Sequence, residues 1–302
     1  MDIISLSHRI KAEIPSLDLR LSEEMRAHTS FRIGGPAAAL AVIKNPAELS
    51  QLLKILSSEG IKAQIIGRGT NLLVSDAGLS DFVIKISAPF DNMKVIGTSI
   101  TAQSGASLSR LAVFAQQKGL SGLEFAHGIP GTLGGAIFMN AGAYGGEMRD
   151  VVTSVRCMSA NGEIFECRGE ELNFSYRYSR FAERSDIIYG AVLRLTPQDK
   201  DEILETMNTL QEKRSESQPL AFPSAGSTFK RPKSGYAAAM IDGAGLKGFR
   251  IGGASVSEKH AGFVINDAGA TFEDVTALMA HIQKTVLEKY GVELEPEVKI
   301  LK

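Results

Sequence analysis

Two stretches of this 302-residue chain place glycine where a backbone would have to approach a ligand closely. The longer holds seven glycines between positions 128 and 146, in Gly128-Ile129-Pro130-Gly131-Thr132-Leu133-Gly134-Gly135 and Asn140-Ala141-Gly142-Ala143-Tyr144-Gly145-Gly146. The shorter is Gly67-Arg68-Gly69-Thr70-Asn71. A glycine backbone turns tightly without Cβ interference, and N–H groups exposed in such loops bind phosphate. The longer stretch is nearly free of charge, as suits a flat uncharged ring packed on backbone. Its Ile129, Leu133, Ile137, Phe138 and Met139 offer apolar surface to bury, which favours a ligand-binding loop over a mobile surface loop. Neither stretch is a Walker A loop, and 67–72 lacks the last glycine of GxGxxG, so two common nucleotide folds are disfavoured. The basic pairs Lys213-Arg214 and Lys230-Arg231 suit a diphosphate, and equally a solvated surface.

Taken in order, the loops resemble the FAD site of the PCMH, or vanillyl-alcohol-oxidase, type of flavoprotein. Within that type they resemble the UDP-N-acetylenolpyruvoylglucosamine reductase (MurB) family. The resemblance runs from about residue 27 onward and includes His28-Thr29-Ser30-Phe31-Arg32-Ile33-Gly34-Gly35. Arg68 stands where the family usually has glycine, and His28 where it usually has asparagine. The resemblance implies non-covalent FAD. The backbone of Gly67, Arg68, Gly69, Thr70 and Asn71 would hold its pyrophosphate. Gly128, Ile129, Gly131, Thr132, Gly134, Asn140 and Gly142 would line the flavin.

Three more segments match the family: Phe174-Ser175-Tyr176-Arg177-Tyr178-Ser179, Pro223 to Pro232, and Glu295-Pro296-Glu297-Val298-Lys299-Ile300. The resemblance implies that Arg177, Ser227 and Glu297 are catalytic, with separations of 50 and 70 residues that only a fold could close. The family's substrate is an enol ether conjugated to a carboxylate. Hydride from reduced flavin reaches its methylene carbon, and negative charge develops on the adjacent carbon and its carboxylate. On that resemblance a fixed cation, Arg177, would stabilise that charge in a dry site. Glu297 would polarise the carboxylate or orient Arg177. Ser227 would protonate the carbanion, which is basic enough that positioning outweighs a matched pKa. Tyr176, Lys230, Arg231 and Asn266 are expected to contact the UDP-sugar nucleotide. NADPH is the expected co-substrate. Little room separates the arginine and serine segments for a tyrosine-bearing insertion, so the chain resembles the shorter, type II form. Two rivals are an oxygen-using oxidase of the same fold and a non-catalytic nucleotide-binding protein.

The elements that must position these residues read as interleaved α and β. Asn45-Pro46 starts a helix with Leu49, Leu52, Leu53 and Leu56 at helical spacing, and Gly60 stops it. Ala63 to Ile66 is a strand entering the first glycine loop, and Phe82 to Ile86 another. Lys94 to Gln103 is a hairpin around Gly97-Thr98. Leu108, Leu111, Ala112 and Ala115 mark a helix. Ile187 to Leu195 is a strand, and the helix over 199–214 carries the chain into a different domain. Thr271 caps a long helix ended by Gly291, and Val292 to Leu301 is extended around Pro296. The expected fold class is α+β: a two-part PCMH-type FAD-binding region followed by a separate α+β substrate-binding domain. The expected domains are 1–66, with the option of the 292–302 strand, then 67–198 and 199–291.

Composition narrows the partners. With 33 basic and 34 acidic side chains, the formal charge of -1 provides no global field for nucleic acid or an anionic membrane. No apolar run of ~18 residues is present for membrane insertion. The first 13 residues lack the apolar core of a secretory signal. A cytoplasmic monomer is expected. The two cysteines, Cys157 and Cys167, flank Asn161-Gly162, a two-residue hairpin signal. That register sets Cys157 opposite Glu166 and turns the two thiols to opposite faces, so both are expected to be ordinary reduced cysteines without metal.

Overall fold

The computed structural model describes residues 2–302. The chain forms two compact units. The first comprises the segment through Leu21 together with Ala38–Arg68 and Asp81–Lys213; the second comprises Ser22–Ala37, Gly69–Ser80 and Arg214–Lys302.

One four-stranded sheet runs Asp18–Glu24, Pro36–Ile43, Leu79–Ile86, Ala63–Ile66, with the last pair parallel. Helix Pro46–Ser58 starts as its local chemistry dictates. Asn45 accepts the Glu48 N–H at 3.0 Å, and Pro46 sits where no N–H is needed. Its Leu49, Leu52, Ile55 and Leu56 join Leu6 and Ile10 of helix Ile3–Glu13 and Ala39, Ile43, Ile84 of the sheet in one buried cluster. Each such large side chain contributes about 1.5–3 kcal/mol. A second, antiparallel sheet runs Ile164–Arg168, Val152–Met158, Ile187–Arg194, Ser99–Gln103, Met93–Ile96. Its Val155, Ala191 and Leu193 pack with Leu108, Leu111 and Ala112 of helix Leu108–Gln117 and with Leu133 and Ile137 of helix Leu133–Phe138.

The second unit is built on helix Phe272–Tyr290. Its capping box joins Thr271 and Asp274, and Gly291 closes it in the left-handed conformation. Val275, Leu278, Met279, Ile282 and Val286 pack on the short antiparallel sheet Arg250–Ile251, Ala254–Val256, Val264–Asn266. Phe31, Ile33 and Leu73 complete this cluster. Strand Lys299–Leu301 pairs in parallel with Leu72–Val74, inside the same unit. The two compact units therefore interleave along the chain. Apolar side chains and ladder partners from 22–37 and 69–80 belong to the core that the C-terminal third builds.

The cysteine hairpin corrects the expected register. Val155 pairs with Cys167 and Cys157 with Phe165. Ser159 N–H bonds Glu163 O at 2.8 Å, so the loop holds three residues, 160–162, and Gly162 takes φ +82°. A three-residue loop with a left-handed glycine shifts the register by one, which flips every side chain. Cys157 and Cys167 thus share a buried face with their sulfurs 3.7 Å apart, both as free thiols. Burial, then the neighbouring Cys167, pushes the Cys157 thiol far above its ordinary value.

His260 gives the second unit a pH dependence. Its Nδ1 accepts the Gly262 N–H at 3.1 Å, and burial lowers its pKa from the usual value. The neutral ring is thus favoured in the fold, while the unfolded chain takes the proton near pH ~6.5. Stability is full above that pH and falls as pH drops below it. The melting temperature is expected to decline between pH 7 and 5.5, and His260→Asn to flatten that decline. An equal decline in the variant would exclude His260 as the cause.

Candidate active site

In the first unit the start of the first glycine loop, Gly67, meets Thr132 of the second. A Cβ on Gly67 would sit 2.5 Å from Thr132 Oγ1, so only glycine lets the loops approach this closely. Thr132 caps helix Leu133–Phe138 through Gly135 N–H at 3.4 Å. Among the described residues, the backbone N–H groups of Arg68, Gly131 and Thr132 make no hydrogen bond to a backbone carbonyl. Thr132 is buried, as are Ser104 Oγ and His127 Nδ1, which also have no hydrogen-bond partner. Buried polar groups are normally paired. Orphaned donors and acceptors around two close-packed glycine loops fit a ligand that carries phosphates and a polar ring edge. Ser104 and His127 escaped the sequence reading. The one signal available was Ser104-Gly105 between a strand and a helix, which reads equally as a plain turn.

Arg177 is carried on a tight turn. Ser175 and Tyr178 exchange two N–H···O bonds of 3.1 Å, leaving Tyr176 and Arg177 at the two central positions. Arg177 has φ +53°, a conformation costing a non-glycine residue about 1–2 kcal/mol. Its Nη2 donates to Gly142 O at 3.2 Å, and its guanidinium lies 5.2 Å from the Tyr176 ring centroid. Strain of this kind persists where surrounding bonds over-determine it, and such places concentrate at working sites. Gly142 belongs to a small hairpin, paired with Glu147.

Ser227 and Glu297 come together in the second unit. Glu297 N–H donates to Thr228 O at 2.8 Å, Lys230 N–H donates to Glu295 O at 2.8 Å, and Phe229 pairs with Pro296. Thr228 is buried; its N–H donates to Gly262 O, and its Oγ1 accepts Val264 N–H at 3.0 Å. The serine hydroxyl and the Glu297 carboxylate thus stand on adjoining extended segments. Asn71 of the first glycine loop belongs here as well. Its Nδ2 donates to Glu297 O at 3.0 Å, and its carbonyl accepts Lys299 N–H. The side chain of Asn71 therefore anchors the Glu297 segment.

The expected substrate contacts sit in varied settings. Lys230 is ion-paired with Glu295, and Arg231 stacks 4.5 Å over Tyr236. Asn266 donates to Phe31 O at 2.9 Å and accepts Ala270 N–H at 2.8 Å, so its amide ties together two parts of its own unit. Arg214 is buried near the end of helix Lys200–Ser217.

Comparison with known proteins adds two family matches. The pattern described as "UDP-N-acetylenolpyruvoylglucosamine reductase, C-terminal domain" matches residues 218–301. The pattern described as "FAD binding domain" matches residues 37–168. A UDP-N-acetylenolpyruvoylglucosamine reductase of Caldanaerobacter subterraneus subsp. tengcongensis is 51% identical over 98% of both chains. One from Clostridioides difficile is 46% identical, over 94% of this chain and 93% of its own. The crystal structure of the reductase from Thermus caldophilus, at 33% identity, superposes with a TM-score of 0.81, covering 95% of this chain and 99% of that one.

Proposed function

The chain belongs to the UDP-N-acetylenolpyruvoylglucosamine reductase (MurB) family, and from that premise we propose that it reduces UDP-N-acetylglucosamine enolpyruvate to UDP-N-acetylmuramate with FAD and NADPH. This is a step of peptidoglycan precursor synthesis. The observation that supports the reading is the backbone bond from Glu297 N–H to Thr228 O, which brings the segments bearing Ser227 and Glu297 side by side.

The backbone N–H groups of Arg68, Gly131 and Thr132 would help to hold FAD. Bound FAD supplies the hydride, which it takes from NADPH. Arg177, aimed by its bond to Gly142 O and its stacking on Tyr176, stabilises the charge that develops on the substrate. Ser227 donates the proton that completes the new C–H bond. Glu297 polarises the substrate carboxylate. Lys230, which has three N–H donors and one ion-pair partner named above, keeps capacity for a diphosphate oxygen; Arg231 and the pair Lys213-Arg214 are further candidates. In this division of labour, 1–66 and 67–198 serve the cofactor and 199–291 the sugar nucleotide. Among the described residues no helix is long and apolar enough to cross a membrane. We place the enzyme in the cytoplasm as a monomer, alongside its nucleotide substrates.

The test is anaerobic mixing of the purified protein with NADPH and then with the enolpyruvyl sugar nucleotide. Yellow protein should bleach with NADPH and regain its colour with the substrate. Bleaching without recovery would remove the substrate assignment, and colourless protein would remove the cofactor.

A further inference from the structure

The sequence places Asn140 among residues that line the flavin, yet its side chain is engaged elsewhere. Asn140 is fully buried, with φ +42°. Its Nδ2 donates to Ser175 O at 3.0 Å and to Glu147 Oε2 at 3.1 Å, and its Oδ1 accepts Arg149 N–H at 3.0 Å. Ser175 opens the turn that carries Arg177. Glu147 pairs with Gly142, whose carbonyl receives the Arg177 guanidinium. One amide thus fixes both ends of the Arg177–Gly142 hydrogen bond.

We propose that Asn140 is a positioning residue for Arg177, holding its turn and its carbonyl acceptor in one mutual arrangement. This rests on the role assigned to Arg177 above. The residue type follows from two demands met at one place. The backbone is left-handed, which asparagine tolerates better than most residues. The side chain must donate twice and accept once in a buried setting, which an amide does and a carboxylate does not. Aspartate would also set a second negative charge against Glu147. The left-handed backbone of Arg177 adds to the need, because a strained turn keeps its shape only when neighbours hold it. Bonds that brace the turn include those of Asn140 to Ser175 O and of Ser179 Oγ to Phe138 O at 2.8 Å.

The experiment uses flavin-loaded Asn140→Gly, which keeps the left-handed backbone and removes the amide. Per bound flavin, anaerobic reduction by NADPH should slow by less than reoxidation does, because the amide donates to Ser175 O and Glu147 Oε2. Reoxidation by the enolpyruvyl substrate should slow by about 10- to 100-fold, the cost of a small misplacement of a fixed charge. Deuterium uptake in the 174–179 peptide should rise about fivefold, as the loss of one buried hydrogen bond implies. In an Arg177→Ala background the same change should alter reoxidation by less than about twofold, since coupled sites are non-additive. Asn140→Asp, which retains the acceptor, should give the same pattern. Equal slowing of both half-reactions, a fully additive loss with Arg177→Ala, or unchanged deuterium uptake would each overturn the proposal. So would loss of folding in both variants, which would make Asn140 a general folding residue. Failure of the parent protein to reoxidise would count against the proposed function alone, because deuterium uptake judges the clamp independently.

Discussion

Ser227→Ala is expected to leave the anaerobic bleaching by NADPH intact and to slow turnover of the enolpyruvyl sugar nucleotide by about 10²- to 10⁴-fold, the usual worth of a positioned proton donor. The structure makes this a clean experiment. Ser227 is half-buried, and the hydrogen bonds that shape its segment are made by the neighbouring Thr228, whose N–H, carbonyl and hydroxyl are all engaged. Removing one partly exposed hydroxyl should therefore change stability by no more than about 0.5 kcal/mol. A lost product step then reports chemistry rather than folding. Stopped-flow absorbance separates the two half-reactions, and unchanged turnover would take Ser227 out of the mechanism.

Gly69→Ala should produce the largest loss of stability of any methyl added to the glycine loops. Gly69 has φ +64°, and a Cβ there would lie 2.0 Å from the carbonyl oxygen of His28. That oxygen is backbone and cannot swing aside. Overpacking of about 1–3 kcal/mol and a left-handed alanine of about 1–2 kcal/mol together predict a loss of roughly 2–5 kcal/mol, accompanied by loss of bound flavin. Gly97→Ala is the control: φ is +57°, with nothing within 4 Å of its added Cβ, so only the backbone contribution remains. Urea midpoints for the two variants should differ clearly. Coincident midpoints would show that the Gly69 loop yields freely.

How much was legible in the sequence depended on how local the signal was. Helix Pro46–Ser58 could be read from Asn45-Pro46 and four leucines, because cap and stripe lie within a dozen residues. The same holds for Thr271 and Gly291 around helix Phe272–Tyr290. Helix Ile3–Glu13 was missed, although Asp2 caps it through Ile4 and Ser5 N–H. Its buried apolar positions reduce to Leu6 and Ile10, too thin a stripe to stand out. The cysteine hairpin failed by one residue of loop length, and strand parity turns a one-residue error into an inverted face. In the site, residue types were legible and their orientations were not. Asn71 and Asn140 stand in the loops the family resemblance marks, but only coordinates reveal that both amides brace the segments bearing Glu297 and Arg177. The interleaving of the two units was likewise invisible, since no local pattern marks Phe31, Ile33 and Leu73 as partners of a helix that begins at Phe272.

That interleaving bears on how the protein is made. The bond from Asn71 to Glu297 joins residues 226 positions apart, and the parallel ladder beside it spans a similar stretch. At about 5–20 residues per second of synthesis, Leu72–Val74 leaves the ribosome roughly 11–45 s before the strand that will pair with it. Throughout that interval Phe31, Ile33 and Leu73 have no core to enter, so the nascent chain carries sticky, unpaired segments that a chaperone would have reason to shelter.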